Sequence, residues 1–243
     1  MIMKKQYSAI MLVVMLTVGT AYGGFLSDLF KKGGTAASKV KLDESTVTAG
    51  IKEALSLATD KTVTSLSSLD GYFANKSVKI VMPEKIQKVA DTLGKFGFQR
   101  QVDDFVLSMN RAAEKAAPVA REHFVDAIKQ MTVKDARKIL EGGDTAATDF
   151  FREKTYNKLY DSFKPTISDS MDHVGVTNYY KDMMGKFTAI PFMNAASVDL
   201  DDYVTNEALD GLFHMVGEEE KKIRKDPAAR VTDLLKEVFG GAT

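Results

Sequence analysis

Apolar side chains recur at intervals of three and four residues over most of the chain from about Ser45 onward, which is the spacing of one face of a helix. Proline is scarce, and only the segment 78–82 favours a short extended conformation. We therefore predict an all-α protein with one compact domain of about seven to nine helices over residues 45–243. The clearest apolar stripes are Ile86, Val89, Ala90 and Leu93; Phe98, Val102, Phe105, Met109, Ala112 and Ala116; and Leu209, Leu212, Phe213, Val216 and Ile223.

Polar residues that cap helices stand where several of these stripes begin. Thr132 followed by Asp135 matches a capping box, in which each side chain bonds the backbone of the other residue. Asp144 or Thr145 is placed to cap the next helix, and Asp226-Pro227 combines an N-cap with a first-turn proline for the last one. The sequence therefore predicts where these helices begin.

Two residues disfavour the interior of a helix. Pro165 follows an apolar stripe that starts at Phe150, and we expect that helix to run toward the proline. Gly217 lies within the last long helix, where glycine costs about 1 kcal/mol relative to alanine. The straightness of that helix is therefore in question at Gly217.

The first 23 residues have the three parts of a secretory signal peptide. Lys4 and Lys5 precede an apolar run at 9–16, and Ala21-Tyr22-Gly23 supplies the small residues of a cleavage site. A retained membrane anchor is the alternative, but the apolar run is shorter than the roughly 20 residues that a spanning helix needs. We therefore predict that residues 1–23 are removed and that the protein is exported.

Residues 24–44 are typical of a flexible tether, because glycine and small polar residues follow a short apolar head. This head predicts, as one further interpretation, peripheral contact with a membrane surface. It consists of Phe25, Leu26, Leu29 and Phe30.

Composition excludes several kinds of partner and site. Removing Lys4 and Lys5 from the 33 basic residues leaves 31 against 33 acidic residues, a net charge of −2, whereas nucleic-acid binding needs a basic excess. The chain has no cysteine, which excludes a lipoprotein, a disulfide framework and cysteine-containing zinc sites. No apolar segment after residue 23 is long enough to span a bilayer. We therefore expect no nucleic-acid partner, no cofactor and no membrane span in the mature chain.

Histidine and acidic residues form only weak candidates for metal sites. His214 and Glu218 lie one helical turn apart, but a metal site needs three or four converging ligands. Asp199, Asp201 and Asp202 suggest calcium, yet the residues after them do not continue an EF-hand loop. Acidic residues also favour the start of a helix, where they oppose its dipole. We therefore predict capping rather than a metal site.

A charged run occupies 218–225. It contains acid-before-base pairs at i,i+4 spacing, Glu218 with Lys222 and Glu220 with Arg224. Each such pair contributes only about 0.2–0.5 kcal/mol to a helix. We predict that this run is a solvent-exposed helix face.

The segment 109–114 is the strongest candidate for a binding site. Asn110 and Arg111 lie within one helical turn of Glu114, beside small residues that allow another helix to approach closely. Two interpretations stay open: an internal polar clasp between helices, or the polar end of a binding groove with apolar walls. No Gly-x-Ser-x-Gly elbow or Gly-rich phosphate loop occurs, which lowers the expectation of an enzyme. A hydrolase that uses acidic residues such as Glu114, with Arg111 nearby, is the alternative.

Several short strings, taken in their order along the chain, resemble an exported bacterial family known as domain of unknown function 4197. The resemblance covers roughly residues 45–240, and it implies a helical protein of the Gram-negative periplasm with no assigned activity, cofactor or catalytic residue. The strings are Gly50–Leu55, Asp70–Phe73, Met82–Glu84, Met109–Glu114, Asp126–Met131, Ala146–Thr148, Phe151-Arg152, Tyr203–Thr205, Ala208–Phe213, Glu218-Glu219, Ile223-Arg224, Asp226–Arg230, Asp233–Leu235 and Val238–Gly240.

These observations lead to one main functional hypothesis. We expect a non-enzymatic periplasmic binding or scaffold protein, with an apolar groove or a helical face for a partner. The expected partner is an apolar small molecule or a protein of the cell envelope.

Overall fold

The computed structural model describes residues 43–190 and 198–240. The predicted signal peptide, residues 1–23, lies outside the described residues. So does all but the end of the predicted tether, 24–44, including its apolar head at 25–30.

The described chain forms nine α-helices and no β-strand, which confirms the all-α prediction. Two short 3₁₀ turns, Ala117–Val119 and Pro227–Ala229, complete the regular structure of these residues. No helix among residues 43–190 and 198–240 is both long and apolar enough to cross a membrane. The helices are α1 Glu44–Ser67, α2 Glu84–Lys95, α3 Gln99–Ala116, α4 Ala120–Gln130, α5 Val133–Glu141, α6 Ala146–Val174, α7 Val176–Thr188, α8 Leu200–Lys225 and α9 Asp233–Gly240.

Helix α6 lies at the centre of the domain, where it packs against α8 and α3. Helix α1 packs across α4, α5, α8 and α9. The centre of the core is aromatic: the Phe124 ring lies 4.7 Å from that of Phe151 and 5.9 Å from that of Phe213, measured between centroids. Because these rings come from α4, α6 and α8, the predicted apolar stripes meet in one core.

Several helices begin as the sequence predicts. Thr132 and Asp135 form the capping box of α5, with Thr132 Oγ1 accepting from the Asp135 N–H at 3.2 Å. Asp199 caps α8 by accepting from the Asp202 N–H at 3.0 Å, as expected of this acidic cluster. These caps satisfy backbone N–H groups that have no partner within the helix.

Pro165 lies inside its helix, although proline is disfavoured there. Helix α6 continues through it to Val174 and ends at Gly175, whose φ of +81° is the left-handed conformation that favours glycine. A proline at this position removes one N–H, which leaves the Asp161 carbonyl without its helical donor. Asp161 is exposed, so water can replace that donor, and the packing of α6 outweighs the local preference.

The last helix begins later than predicted. Asp226 caps only the 3₁₀ turn, by accepting from the Ala228 N–H at 2.9 Å. The chain then turns, because the buried Arg230 side chain donates to the carbonyls of Ile223 and Arg224 at the end of α8. Helix α9 starts at Asp233, with the Leu235 N–H donating to Thr232 Oγ1 at 3.2 Å.

Two glycines of α8 are expected to respond in opposite ways to replacement by alanine. A Cβ at Gly217 would meet Thr148 at 3.5 Å, an ordinary contact, and α8 runs through this position without a break. We expect Gly217→Ala to stabilise the protein by up to about 1 kcal/mol, because alanine is the better helix former. A Cβ at Gly211 would lie 2.9 Å from the buried Tyr72 ring and 3.1 Å from Val78, so Gly211→Ala should destabilise by about 1–3 kcal/mol.

Urea denaturation of both variants checks this pair of expectations. Since the two substitutions are chemically identical and lie on one helix, their difference reports the space around each residue. Equal changes in the free energy of unfolding would contradict the close packing of Gly211.

Candidate functional site

The connection between α1 and α2, residues 68–83, is held by buried polar groups of α3. Glu114 Oε1 accepts from the backbone N–H groups of Tyr72 and Phe73 at 3.2 and 3.3 Å. Its second oxygen, Oε2, accepts from Arg111 Nη1 at 2.6 Å. Arg111 Nη2 donates in turn to Asp70 Oδ1 at 2.6 Å, and Asp70 has a φ of +67°. The turn at Asp70 is therefore bonded to α3 through both its backbone and its side chain.

Asn110 holds the other end of this connection. Its Oδ1 accepts from the Ile80 N–H at 2.9 Å, and its Nδ2 donates to the Ile80 carbonyl at 2.7 Å. The same Nδ2 group also donates to the Val106 carbonyl at 2.8 Å. Ile80 and Asn110 are both fully buried. The Asn110 amide therefore replaces the water that would otherwise bond the N–H and carbonyl of Ile80.

The opposite side of the connection contacts α8. The Tyr72 hydroxyl donates to the Ala208 carbonyl at 2.8 Å, and its ring lies against Gly211. Burial raises the pKa of Tyr72 far above its ordinary value, so the hydroxyl stays protonated and keeps donating. Tyr72 thus links the connection to α8 while Glu114 and Asn110 link it to α3.

The structure therefore brings together the three residues that the sequence singled out. The contacts of Asn110, Arg111 and Glu114 are those of an internal clasp, the first of the two interpretations. Arg111 is the most accessible of the three, with 24% of its side chain exposed. A ligand at these residues stays a prediction.

A surface groove lies beside the end of the same connection and has a volume of about 560 Å³. We call it the α8 groove, because α8 and the residue before its N-cap form one wall and residues 81–85 form the other. Its apolar lining is Val81, Met82, Pro83 and Val198. Its charged lining is Glu84, Asp199, Asp202 and Glu207, with Lys85 as the one basic residue among the described groove residues.

Tyr203 crosses the α8 groove. Its hydroxyl donates to the Val81 carbonyl at 3.1 Å, which ties the two walls together. Burial, followed by the negative charges of Glu207 and Glu84, raises the pKa of Tyr203 to about 12. The pKa of Glu207 is also raised, first by burial and then by repulsion from Asp210. Both shifts have the direction that partial desolvation in a negative potential produces.

A second buried network joins three helices around Glu220. Its carboxylate accepts from the N–H groups of Ala147 and Thr148, each at 2.9 Å, and from the Thr148 hydroxyl at 2.8 Å. Arg224 donates to Glu220 at 2.9 Å and to the carbonyl of Ile139 at 2.7 Å. Glu220 therefore caps the start of α6, and Arg224 caps the end of α5.

This network corrects two predictions from the sequence. The predicted caps Asp144 and Thr145 do not cap α6: Asp144 instead pairs with Lys225, and Thr145 makes no side-chain cap bond. The charged run 218–225 is not a wholly exposed face, because Glu220 is buried and the Arg224 side chain is only 11% exposed. The i,i+4 spacing of this pair was visible in the sequence, but its burial was not.

Comparison with known families identifies the family of this chain. The family model described as "Protein of unknown function (DUF4197)" matches residues 41–240. The chain belongs to the DUF4197 family. The comparison with curated proteins and the comparison with solved structures each give no match. The family assignment confirms the resemblance found in the sequence, and function has to be argued from the site.

The described part of this DUF4197 chain holds no group of three or more His, Asp or Glu residues that is arranged to bind a metal ion. His123 Nε2 does lie 2.9 Å from Ser162 Oγ, beside a cleft of about 310 Å³. Ser162 is in the interior of α6, where the neighbouring backbone N–H groups are used by the helix. The pair therefore lacks the backbone donors that would stabilise an oxyanion, and we interpret it as a contact between α4 and α6.

The raised pKa of Glu207 predicts a pH-dependent effect of Glu207→Gln. The folded DUF4197 chain binds this proton more tightly than the unfolded chain, so the stability contributed by Glu207 falls as pH rises from its unfolded pKa through its folded pKa. Glutamine does not titrate, so the variant does not lose this stability as pH rises. We therefore expect Glu207→Gln to melt at a higher temperature than the wild type at pH 7, and the difference to shrink at about pH 4.

Thermal denaturation at the two pH values tests this expectation. Glu237→Gln, which changes an exposed glutamate of α9, is the control and should leave the melting temperature unchanged at both. A lower melting temperature for Glu207→Gln at pH 7 would show that ionised Glu207 stabilises the fold.

Proposed function

We propose that this DUF4197 protein is an exported, non-enzymatic binding protein that engages a partner of the cell envelope through the α8 groove. The groove carries the proposal, because it combines apolar walls with several carboxylates at a volume of about 560 Å³. Ligand sites typically have volumes of about 300–1,000 Å³ and a few polar groups among apolar ones. Export is supported by the signal-peptide pattern of residues 1–23.

Rigid support of the groove favours recognition. The Val81 wall is fixed by Tyr203 on one side and, one residue earlier, by the bonds between Ile80 and Asn110. A preformed surface loses little conformational entropy when a partner binds. Of the sequence-predicted residues, Asn110 supports the groove wall through Ile80.

A small apolar ligand enclosed within the core has less support than a partner bound at the groove. An apolar cavity between α1, α8 and α9 has a volume of about 20 Å³, which is room for a single water molecule. The hydrolase alternative also has little support, because both oxygens of Glu114 already accept hydrogen bonds within the clasp. A partner at the surface is the better explanation.

Site-specific photocrosslinking in cells tests the proposed function. A photoreactive amino acid at Val81, which is 55% exposed, should give a discrete crosslinked product in the periplasmic fraction. The same group at Val231, which is 60% exposed but outside the groove, is the matched control and should not. No product at Val81, or the same products at both positions, would contradict the proposed function.

Export is tested separately, by N-terminal sequencing of the protein from the periplasm. The proposal expects a chain that starts near Gly24. Protein found only in the cytoplasm with an intact N-terminus would contradict export.

A further inference from the structure

The charges of the α8 groove point to the chemistry of its partner. Among the described lining residues, four carboxylates, from Glu84, Asp199, Asp202 and Glu207, stand against the single basic residue Lys85. Lys164 of α6 approaches Asp202 to 3.8 Å and offsets a further part of this charge. The groove stays acidic although the chain as a whole has a formal net charge of zero. A complementary partner is therefore cationic.

The carboxylates are spread along the groove instead of meeting at one point. No three of the acidic or histidine side chains described by the structure converge as metal ligands do. Asp199 is engaged at the start of α8, and Asp202 accepts from the Tyr160 hydroxyl. Glu207 lies roughly one and a half turns beyond Asp202 along the helix. Separate positive groups on one extended molecule match this arrangement better than a single metal ion does.

Apolar walls require that the partner also has an uncharged part. Val81 exposes a large apolar side chain and Val198 is partly exposed, while Met82 and Pro83, which also line the groove, are buried. Burying such surface is favourable, and an inorganic cation has no apolar surface of its own to place against it. Aliphatic side chains between the positive groups would contact these walls.

The backbone beside the groove indicates that a peptide supplies both the positive groups and the apolar part of the partner. Residues 79–83 belong to no helix, and the Val81 carbonyl already accepts from Tyr203. Among the residues that the structure describes, the Val81 N–H has no backbone acceptor. A peptide in an extended conformation has carbonyl groups to offer this donor, as in other modes of recognition through main-chain hydrogen bonds.

We infer that the α8 groove binds an extended peptide segment in which lysine or arginine alternates with aliphatic residues, presented by an envelope protein. This inference rests on the proposed function, because it specifies the partner of the same groove. The carboxylates would receive the positive side chains, and the Val81 wall would receive the aliphatic ones.

The test uses a fluorescein-labelled peptide of four Lys-Val repeats and measures its binding to the purified chain by fluorescence anisotropy. We expect saturable binding that weakens at least tenfold in the double variant Glu84→Gln/Glu207→Gln, and that also weakens between about 50 and 500 mM salt. The double variant Glu122→Gln/Glu237→Gln removes the same charge from exposed positions outside the groove and should bind like the wild type. Circular dichroism verifies that both double variants are folded.

Two further peptides separate the inference from the proposed function. Four Gln-Val repeats and four Glu-Val repeats have the same apolar content without positive charge, and neither is expected to bind. If the Gln-Val peptide binds as well as the Lys-Val peptide, and Val81→Ser weakens both, the groove binds peptides but the inference about charge is wrong. Equal weakening by the two double variants would show unspecific attraction to negative charge and overturn the inference. No binding of any peptide would overturn it as well, while a crosslink at Val81 would still support the proposed function.

Discussion

Replacing Glu220 with alanine is expected to lower the free energy of unfolding by about 3–5 kcal/mol, the cost of removing one partner of a buried ion pair. The substitution leaves Arg224, with 11% of its side chain exposed, without its carboxylate. It also removes the acceptor of the Ala147 and Thr148 N–H groups at the start of α6. Because α6 is the central helix, the loss should weaken the whole domain rather than one end of it.

Urea denaturation gives the magnitude, and Glu218→Gln is the matched control on the same helix. Glu218 pairs with Lys221 at the surface, where both side chains are well exposed, so its replacement should change stability by less than about 0.5 kcal/mol. A double-mutant cycle with Arg224→Ala should show strong coupling between residues 220 and 224. If Glu220→Ala and Glu218→Gln have equal effects, the capping role of Glu220 is wrong.

Asn110→Ala is expected to lower the free energy of unfolding by about 2–4 kcal/mol. The Ile80 N–H and carbonyl lose both bonds to the Asn110 amide, and an unsatisfied buried polar group costs about 1–3 kcal/mol. The effect should be local as well as global, because Ile80 is next to Val81 in the wall of the α8 groove. Amide hydrogen exchange in residues 70–83 should therefore become faster in the variant.

Asn157→Ala provides the control, since Asn157 is an exposed residue of α6. It should change stability by less than about 0.5 kcal/mol and leave hydrogen exchange in residues 70–83 unchanged. A nearly neutral Asn110→Ala would mean that the clasp does not hold the connection. In that case the second interpretation, a polar binding site at 110–114, would gain support.

The predictions for Glu220 and Asn110 concern polar residues that differ in how clearly the sequence pattern indicates their burial. Asn110 and Glu114 stood out because they lie within one helical turn of each other, beside small residues. Glu220 did not stand out, because it lies within a run of charges that is typical of an exposed helix face. Periodicity alone can find a polar residue in an apolar surrounding, but it cannot find one buried charge among exposed ones.

The α8 groove could not be predicted from the sequence, for a related reason. Its two walls, at 81–85 and 198–207, are separated by more than a hundred residues and are joined by the bond from Tyr203 to Val81. Asp199 and Asp202 were explained as part of a helix start, which is correct: Asp199 is the N-cap of α8 and Asp202 lies in its first turn. Their position in an acidic groove depends on what packs opposite them.

Sequence reasoning was sufficient for the helical character of this protein, most of its apolar faces, the caps at Thr132 and Asp199, and its family. These features depend on residues within a few positions of one another, where periodicity and side-chain chemistry are sufficient. The course of α6 through Pro165, the burial of Glu220 and the existence of the groove follow from how the helices pack. Each of these depends on partners distant in the chain, such as Thr148 and Glu220, which are 72 positions apart and which only the packed core brings together.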